Sequence, residues 1–261
     1  MAFEIEQFRL DGKVAVVTGA GGRGNSIGRA YALGLANAGA AVVVADLNEA
    51  GAKAVAEEIT EAGGQAIGVG VDIVDRAGVD RMARAAKEAF GGVDILVNNA
   101  ALMAELTHRA VMAVPIEEWN KVIGVNLTGA LNCAQACVPM MRERGGGKIV
   151  NQVSGGAYPA ATLYGITKIA LVGLTTTLAT ELGPDKINVN AIAPGATQSD
   201  AGKSLTGADS AFTKAMESRV LMRFRGQPDE LVGPLLLLCS RAGDWMTGQV
   251  LHVDGGWIVR P

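Results

Sequence analysis

Seven short apolar runs recur along the chain, each followed by a longer, alanine-rich stretch with apolar residues three and four positions apart. The runs are VAVVT (14–18), AVVVAD (41–46), AIGVGVD (66–72), VDILVNN (93–99), GKIVNQVS (147–154), INVNAIAP (187–194) and QVLHVDG (249–255). Strands that alternate with helices pair in parallel, because each helix carries the chain back to the starting edge of the sheet. The runs lack polar/apolar alternation, so both faces of the sheet are covered. The pattern predicts helices over Ser26–Ala38, Ala50–Ala62, Asp75–Phe90 and Leu163–Leu182, stopped by Gly39, Gly63, Gly91 and Gly183. The fold class is therefore α/β, a doubly wound parallel sheet with helices on both faces.

At 261 residues, 49% of them hydrophobic, the chain can bury one large core, and a single domain over 1–261 is the expectation. Only the segment at about 199–226 breaks the rhythm, with polar and methionine residues in place of a strand or periodic helix, as expected of a lid over a site. A formal charge of −3 and the absence of a Lys/Arg block argue against nucleic acid as a partner. The opening MAFEIEQFRLDGK does not read as a leader, and no uncharged apolar run is long enough to span a bilayer, which points to a cytoplasmic protein and no membrane partner. Cys133, Cys137 and Cys239 read as buried core residues, and His108 and His252 have no companions at ligand spacing, so no metal is expected.

Directly after the first strand stands Thr18-Gly19-Ala20-Gly21-Gly22-Arg23-Gly24-Asn25-Ser26-Ile27-Gly28, which opens the first helix. A glycine-rich strand-to-helix turn lets backbone amides and the positive helix end approach a pyrophosphate; close strand–helix packing is the alternative reason for the glycines. The next strand ends in Asp46, at the distance where a carboxylate accepts from the adenosine ribose hydroxyls and repels the extra phosphate of NADP. NAD is thus the favoured cofactor, while Arg23 and Arg29 keep NADP open. Asp46 could instead cap the following helix, in competition with Asn48. Asp72 is placed either beside the adenine or as a turn residue.

Tyr164 and Lys168 lie four apart, on one face of a helix. A phenol ionising near pH 10 must shift by about 2–3 units to act as a base at neutral pH, and one cation about 4–5 Å away supplies about that much. Ser154, ending the preceding strand, is placed to hold a substrate oxygen.

Together these motifs resemble the classical short-chain dehydrogenases/reductases over nearly the whole length, from Gly12-Lys13-Val14 to Val253-Asp254-Gly255-Gly256. The resemblance rests on the Thr18-Gly19 turn, Asp72, Asn98-Asn99-Ala100, Asn126, Ser154, Tyr164 with Lys168, and Pro194-Gly195. It implies a Rossmann-type sheet in the order 3-2-1-4-5-6-7, frequent homotetramers, and NAD-linked interconversion of a secondary alcohol and a ketone. It also implies a catalytic tetrad. Tyr164 is the acid/base, Ser154 orients the substrate oxygen, Lys168 lowers the phenol pKa and binds the nicotinamide ribose, and Asn126 holds a proton-relaying water. The cofactor-binding set is Gly19, Gly21, Asn25, Ser26, Ile27, Gly28, Asp46, Leu47, Asp72, Ile73, Asn98, Ala100, Tyr164, Lys168, Pro194, Gly195, Thr197 and Ser199. In it Thr197 meets the nicotinamide carboxamide through its backbone and Ser199 through its hydroxyl, while Asn98 stabilises the central sheet.

The chain departs from the family pattern in three places. The glycine turn is about three residues longer, with Ser26 in place of the middle glycine. Ser154 precedes Tyr164 by ten residues rather than about thirteen, and Ala101 replaces the glycine after Asn98-Asn99-Ala100. The Ser26-Ile27-Gly28 ending is similar to that of enoyl-carrier-protein reductases, but those enzymes place the lysine seven residues after the tyrosine, not four. An NADPH-dependent 3-oxoacyl reductase is the alternative within carbonyl chemistry. Met103, Met112, Met216, Met222, Leu221 and Phe224 read either as an apolar substrate pocket or as packing, and Lys203, Lys214 and Arg219 as groups that could meet an acid. Leu235–Leu238 and Trp257-Ile258-Val259 are candidate subunit contacts.

Overall fold

The structure is a computed structural model that describes residues 4–22, 24–103, 110–158, 160, 162–200, 214 and 217–259. Seven strands, β1 (Val14–Thr18), β2 (Ala41–Asp46), β3 (Gln65–Gly70), β4 (Ile95–Asn98), β5 (Gly147–Gln152), β6 (Ile187–Pro194) and β7 (Val250–Val253), form one sheet. All neighbouring strands are parallel and the order is 3-2-1-4-5-6-7. The order reverses between β1 and β4, and this switch opens a crevice at the carboxyl ends of the strands, where open α/β sheets bind ligands.

Successive strand residues serve opposite faces. Ala15 and Val17 of β1 pack on one side with α1 (Ile27–Asn37), α2 (Glu49–Glu61) and the late helix α7 (Val232–Cys239), whereas Val16 faces α3 (Arg76–Phe90), α5 (Gly129–Glu143) and α6 (Leu163–Leu182). Both faces are buried, which is why the strands read as continuous apolar runs.

Helix ends follow simple chemistry. Ser26 caps α1 by accepting from the Arg29 N–H, Asn48 caps α2 and Asp75 caps α3. Gly39, Gly63 and Gly91 adopt positive φ just past the helix ends, as their placement predicts. Gly183 does not: it stays helical, a short 3-10 turn follows, and the left-handed position falls on Lys186 at φ 58°. Sequence periodicity missed α4 (Ile116–Ile123) and α5, which run together through a π-turn at Gly124–Thr128. Gly124, Gly129 and Pro139 within this stretch mask its period.

Among the described residues, one stretch, Leu163–Asp185, is long and apolar enough to cross a membrane; it comprises α6 and the turn after it, and α6 packs along β6. Most of the segment expected to form a lid, including Lys203 and Met216, lies outside the described residues, as do Arg23 and His108. Lys214 and Arg219 are exposed.

Candidate active site

Three elements bring the tetrad residues together at the carboxyl edge. β5 ends at Gln152, and two residues later Ser154 opens a 3-10 turn by accepting from the Gly156 N–H at 3.0 Å. Thr162 caps α6 through the Gly165 N–H, which places Tyr164 and Lys168 in its first two turns. The π-turn between α4 and α5 carries Asn126, buried to 1% exposure. Such turns insert one residue into a helix and re-aim a side chain, and they are frequent at functional sites.

Lys168 Nζ lies 5.4 Å from the centre of the Tyr164 ring and donates to the Gln152 carbonyl at 2.7 Å. Its ammonium is desolvated, and burial pushes it down to about 7. Tyr164 moves the other way. Burial pushes the phenol up to about 12, and its hydrogen bond with Ser154 pulls it down only in part. Burial thus acts on both groups toward their neutral forms, and on Tyr164 it acts against the downward shift expected from Lys168.

Asn126 accepts from the Leu102 N–H at 2.7 Å, and its amide donates to the Leu102 carbonyl and to Thr167 Oγ1, each at 3.1 Å. Thr167 in turn donates to the Tyr164 carbonyl at 2.7 Å. Both amide protons of Asn126 are spent on protein, so a water can use only an oxygen lone pair. Asn126 is first a brace between the chain after β4 and the turn of α6 that bears Tyr164 and Lys168.

The glycine turn is dominated by packing. A Cβ on Gly19 would sit 2.6 Å from Ala100 Cα, one on Gly21 2.6 Å from the Ala52 nitrogen, and one on Gly28 2.2 Å from the Gly19 carbonyl oxygen. Asp46 holds the turn to the sheet, with its oxygens accepting from the Gly21 N–H at 2.8 Å and the Asn48 N–H at 2.9 Å. Asn48, not Asp46, caps α2. Each Asp46 oxygen keeps a free lone pair, and Leu47 beside it is 77% exposed. Asp72 accepts from the Val74 N–H, the turn role, and is exposed, while Ile73 is buried against Gly129.

The two asparagines at the end of β4 divide the work. Asn98, expected to stabilise the central sheet, donates to Asn151 of β5 and to the Ala130 carbonyl of α5, and Asn99 donates to the Thr18 and Gly19 carbonyls of the glycine turn, a role the sequence did not reveal. Thr18 Oγ1 accepts from the Asn99 and Ala100 N–H groups. Consecutive polar residues at a buried strand end were the available signal. After β6, Gly195 has no room for a Cβ against Asp254. The Thr197 carbonyl accepts from the buried Arg225 guanidinium at 2.8 Å, and Ser199 is buried nearby in sequence. Arg225 gave no sequence signal at all.

The buried Lys168 ammonium uses one of its three donors on Gln152, and the Asp46 carboxylate offers free lone pairs at the opposite side of the same edge. A donor and an acceptor so separated fit the two riboses of a dinucleotide, with the N-terminus of α1 between them.

A family model described as enoyl-(acyl carrier protein) reductase matches residues 22–258. A short-chain type dehydrogenase/reductase of Bradyrhizobium diazoefficiens is 40% identical over 96% of this chain and 89% of its own length. The chain belongs to the short-chain dehydrogenase/reductase family. An uncharacterised oxidoreductase of Mycobacterium tuberculosis is 47% identical over 96% of this chain and 99% of its own. Among solved structures, a gluconate 5-dehydrogenase of Burkholderia cenocepacia in complex with NADP and tartrate superposes with a TM-score of 0.89 at 35% identity, covering 97% of each chain. A 7α-hydroxysteroid dehydrogenase complexed with NADH and 7-oxo glycochenodeoxycholic acid gives 0.88 at 34% identity and covers 98% of each chain. This short-chain dehydrogenase/reductase chain is thus an oxidoreductase by family.

Proposed function

We propose that the protein interconverts a secondary alcohol and a ketone with a nicotinamide dinucleotide, NAD in preference to NADP, in one catalytic domain. The carrying observation is the convergence of Ser154, Tyr164 and Lys168, the phenol bonded to the serine and the ammonium 5.4 Å from its ring. Bound at this edge, the dinucleotide would supply the hydride donor or acceptor; Asp46 would hold the adenosine ribose, the turn and Ser26 end of α1 the pyrophosphate, Lys168 the second ribose, and the chain from Pro194 to Ser199 the nicotinamide end.

In ketone reduction the Ser154 hydroxyl positions the carbonyl oxygen, and Tyr164, protonated at neutral pH, donates its proton to that oxygen as negative charge develops. In the reverse direction the phenol must become the base. This requires Lys168 to be charged, and acceptors for its remaining donors restore that charge by offsetting its desolvation. Asn126 and Thr167 hold the turn that carries both groups. The neighbours solved with NADP and with NADH bound support nicotinamide use, and Asp46 supports NAD. Both neighbours are described with acids, so an acidic or steroid-sized alcohol is the first class to screen. A homotetramer working in the cytoplasm completes the reading. For the assembly, the exposed Ile169 on α6 is the supporting observation.

Enoyl reduction is the second reading, favoured by the description of the matching family model and disfavoured by the four-residue Tyr164–Lys168 spacing. Titration of the wild type and Asp46→Ala with NADH and NADPH, followed by a turnover screen with Tyr164→Phe as control, tests the proposal. Tight NADH with weak NADPH, relaxed in Asp46→Ala, and loss of about 10²- to 10⁴-fold in turnover for Tyr164→Phe are expected. NADPH preference in the wild type overturns the role of Asp46, and normal turnover by Tyr164→Phe overturns the assignment of the acid/base.

A further inference from the structure

The lengthened glycine turn does more than cradle an anion: its distal residues grip the opposite side of the site. Asn25 Nδ2 donates to the Gln198 carbonyl at 3.0 Å and to Gln227 Oε1 at 3.1 Å. The Asn25 N–H donates to Asp200 Oδ2 and the Asp200 N–H to the Asn25 carbonyl, both at 2.9 Å. Gly24 lies so close that a Cβ there would stand 2.3 Å from the Asp200 carboxylate. The far side is itself fixed, since Thr197 bridges to Gly226, the Gln198 N–H donates to the Gly226 carbonyl, and Arg225 holds the Thr197 carbonyl.

The turn leaves β1, whereas Gln198 and Asp200 follow β6, and β4 and β5 stand between them. At about 4.8 Å per strand the gap is three spacings, about 14 Å. In a loop anchored at both ends three added residues carry the tip about 5 Å farther, half their extended length. The chain after β6 covers the rest, and the two segments meet at the Asn25 hydrogen bonds.

We propose that residues 24–25 form a strap across the dinucleotide crevice, with Asn25 as its latch, and that the strap sets how long the cofactor stays bound. This rests on the dinucleotide reading above. A molecule reaching from Asp46 to Lys168 crosses the strand ends that the strap spans, so it leaves only when the Asn25 contacts open. Asn25 is a positioning residue here: it acts through the two loops it joins.

The test is stopped-flow release of NADH from the full-length protein, followed by the fluorescence of the bound nucleotide. One net hydrogen bond is worth about fivefold in an equilibrium or rate, so Asn25→Ala, which loses both side-chain bonds, should release NADH about thirtyfold faster. Gln227→Ala loses only one of the Asn25 contacts, together with its own capping bond to the Glu230 N–H, and should give about fivefold. In the double variant the shared bond is already gone, so release should match Asn25→Ala alone rather than the product of the two. Melting temperatures of the free variants close to wild type establish that the fold is retained, because the contacts are on the surface of the crevice. Release within twofold of wild type in both single variants overturns the strap while leaving the dinucleotide reading intact. Failure of the wild type to take up NADH or NADPH removes that reading, and the strap with it.

Discussion

Replacing Lys168 by methionine should make the cofactor-free protein more stable while removing its turnover. Lys168 is 1% exposed, burial moves its amine from 10.5 down to about 7, and among the described residues its bond to the Gln152 carbonyl is its only hydrogen bond. At about 1.36 kcal/mol per unit, holding the charged form below pH 7 costs the fold up to about 5 kcal/mol. Methionine keeps the apolar stem but strands the Gln152 carbonyl, at about 1–3 kcal/mol. The net expectation at about pH 6 is stabilisation by about 2 kcal/mol, or a rise in melting temperature of about 5 °C for a chain of this length. The pH dependence is the decisive part. Because the folded pKa lies below the unfolded one, the unfolded lysine binds a proton that the folded one has released between about pH 7 and 10.5, and wild-type stability rises with pH across that window. By about pH 9 the wild type recovers about 2–3 kcal/mol, so the advantage of the variant should shrink to near zero. Melting of both proteins without cofactor, at equal concentration and at about pH 6 and 9, measures this. A difference that is the same at both pH values refutes the argument from desolvation.

Two further substitutions probe the frame of the site. Ala160 holds φ 57° in the short loop between Ser154 and Tyr164, a conformation that costs a non-glycine residue about 1 kcal/mol, so Ala160→Gly should raise stability by about that amount in a denaturant titration; an unchanged midpoint contradicts the strain. Asn99→Ala removes both bonds to the Thr18 and Gly19 carbonyls and should cost about 1–3 kcal/mol and weaken NADH binding; unaltered binding would mean that the turn holds its shape without them.

The alternation of buried strands with glycine-stopped helices was sufficient to establish seven parallel strands, because burial on both faces leaves a continuous apolar run, and three of the four helix stops, Gly39, Gly63 and Gly91, take the positive φ that glycine tolerates. The Tyr164–Lys168 pair was equally legible, since four residues on a helix fix a common face without further information. Tertiary structure alone decided what those residues experience. Whether Lys168 acidifies Tyr164 or loses its own charge depends on desolvation by the surrounding core, which no local spacing encodes. The π-turn under Asn126 is a one-residue offset in hydrogen bonding that leaves no periodic trace. The three residues added to the glycine turn were visible as an insertion, but their grip on Gln198, Asp200 and Gln227 joins positions about 170–200 residues apart in sequence, brought together only by the strand order of the sheet.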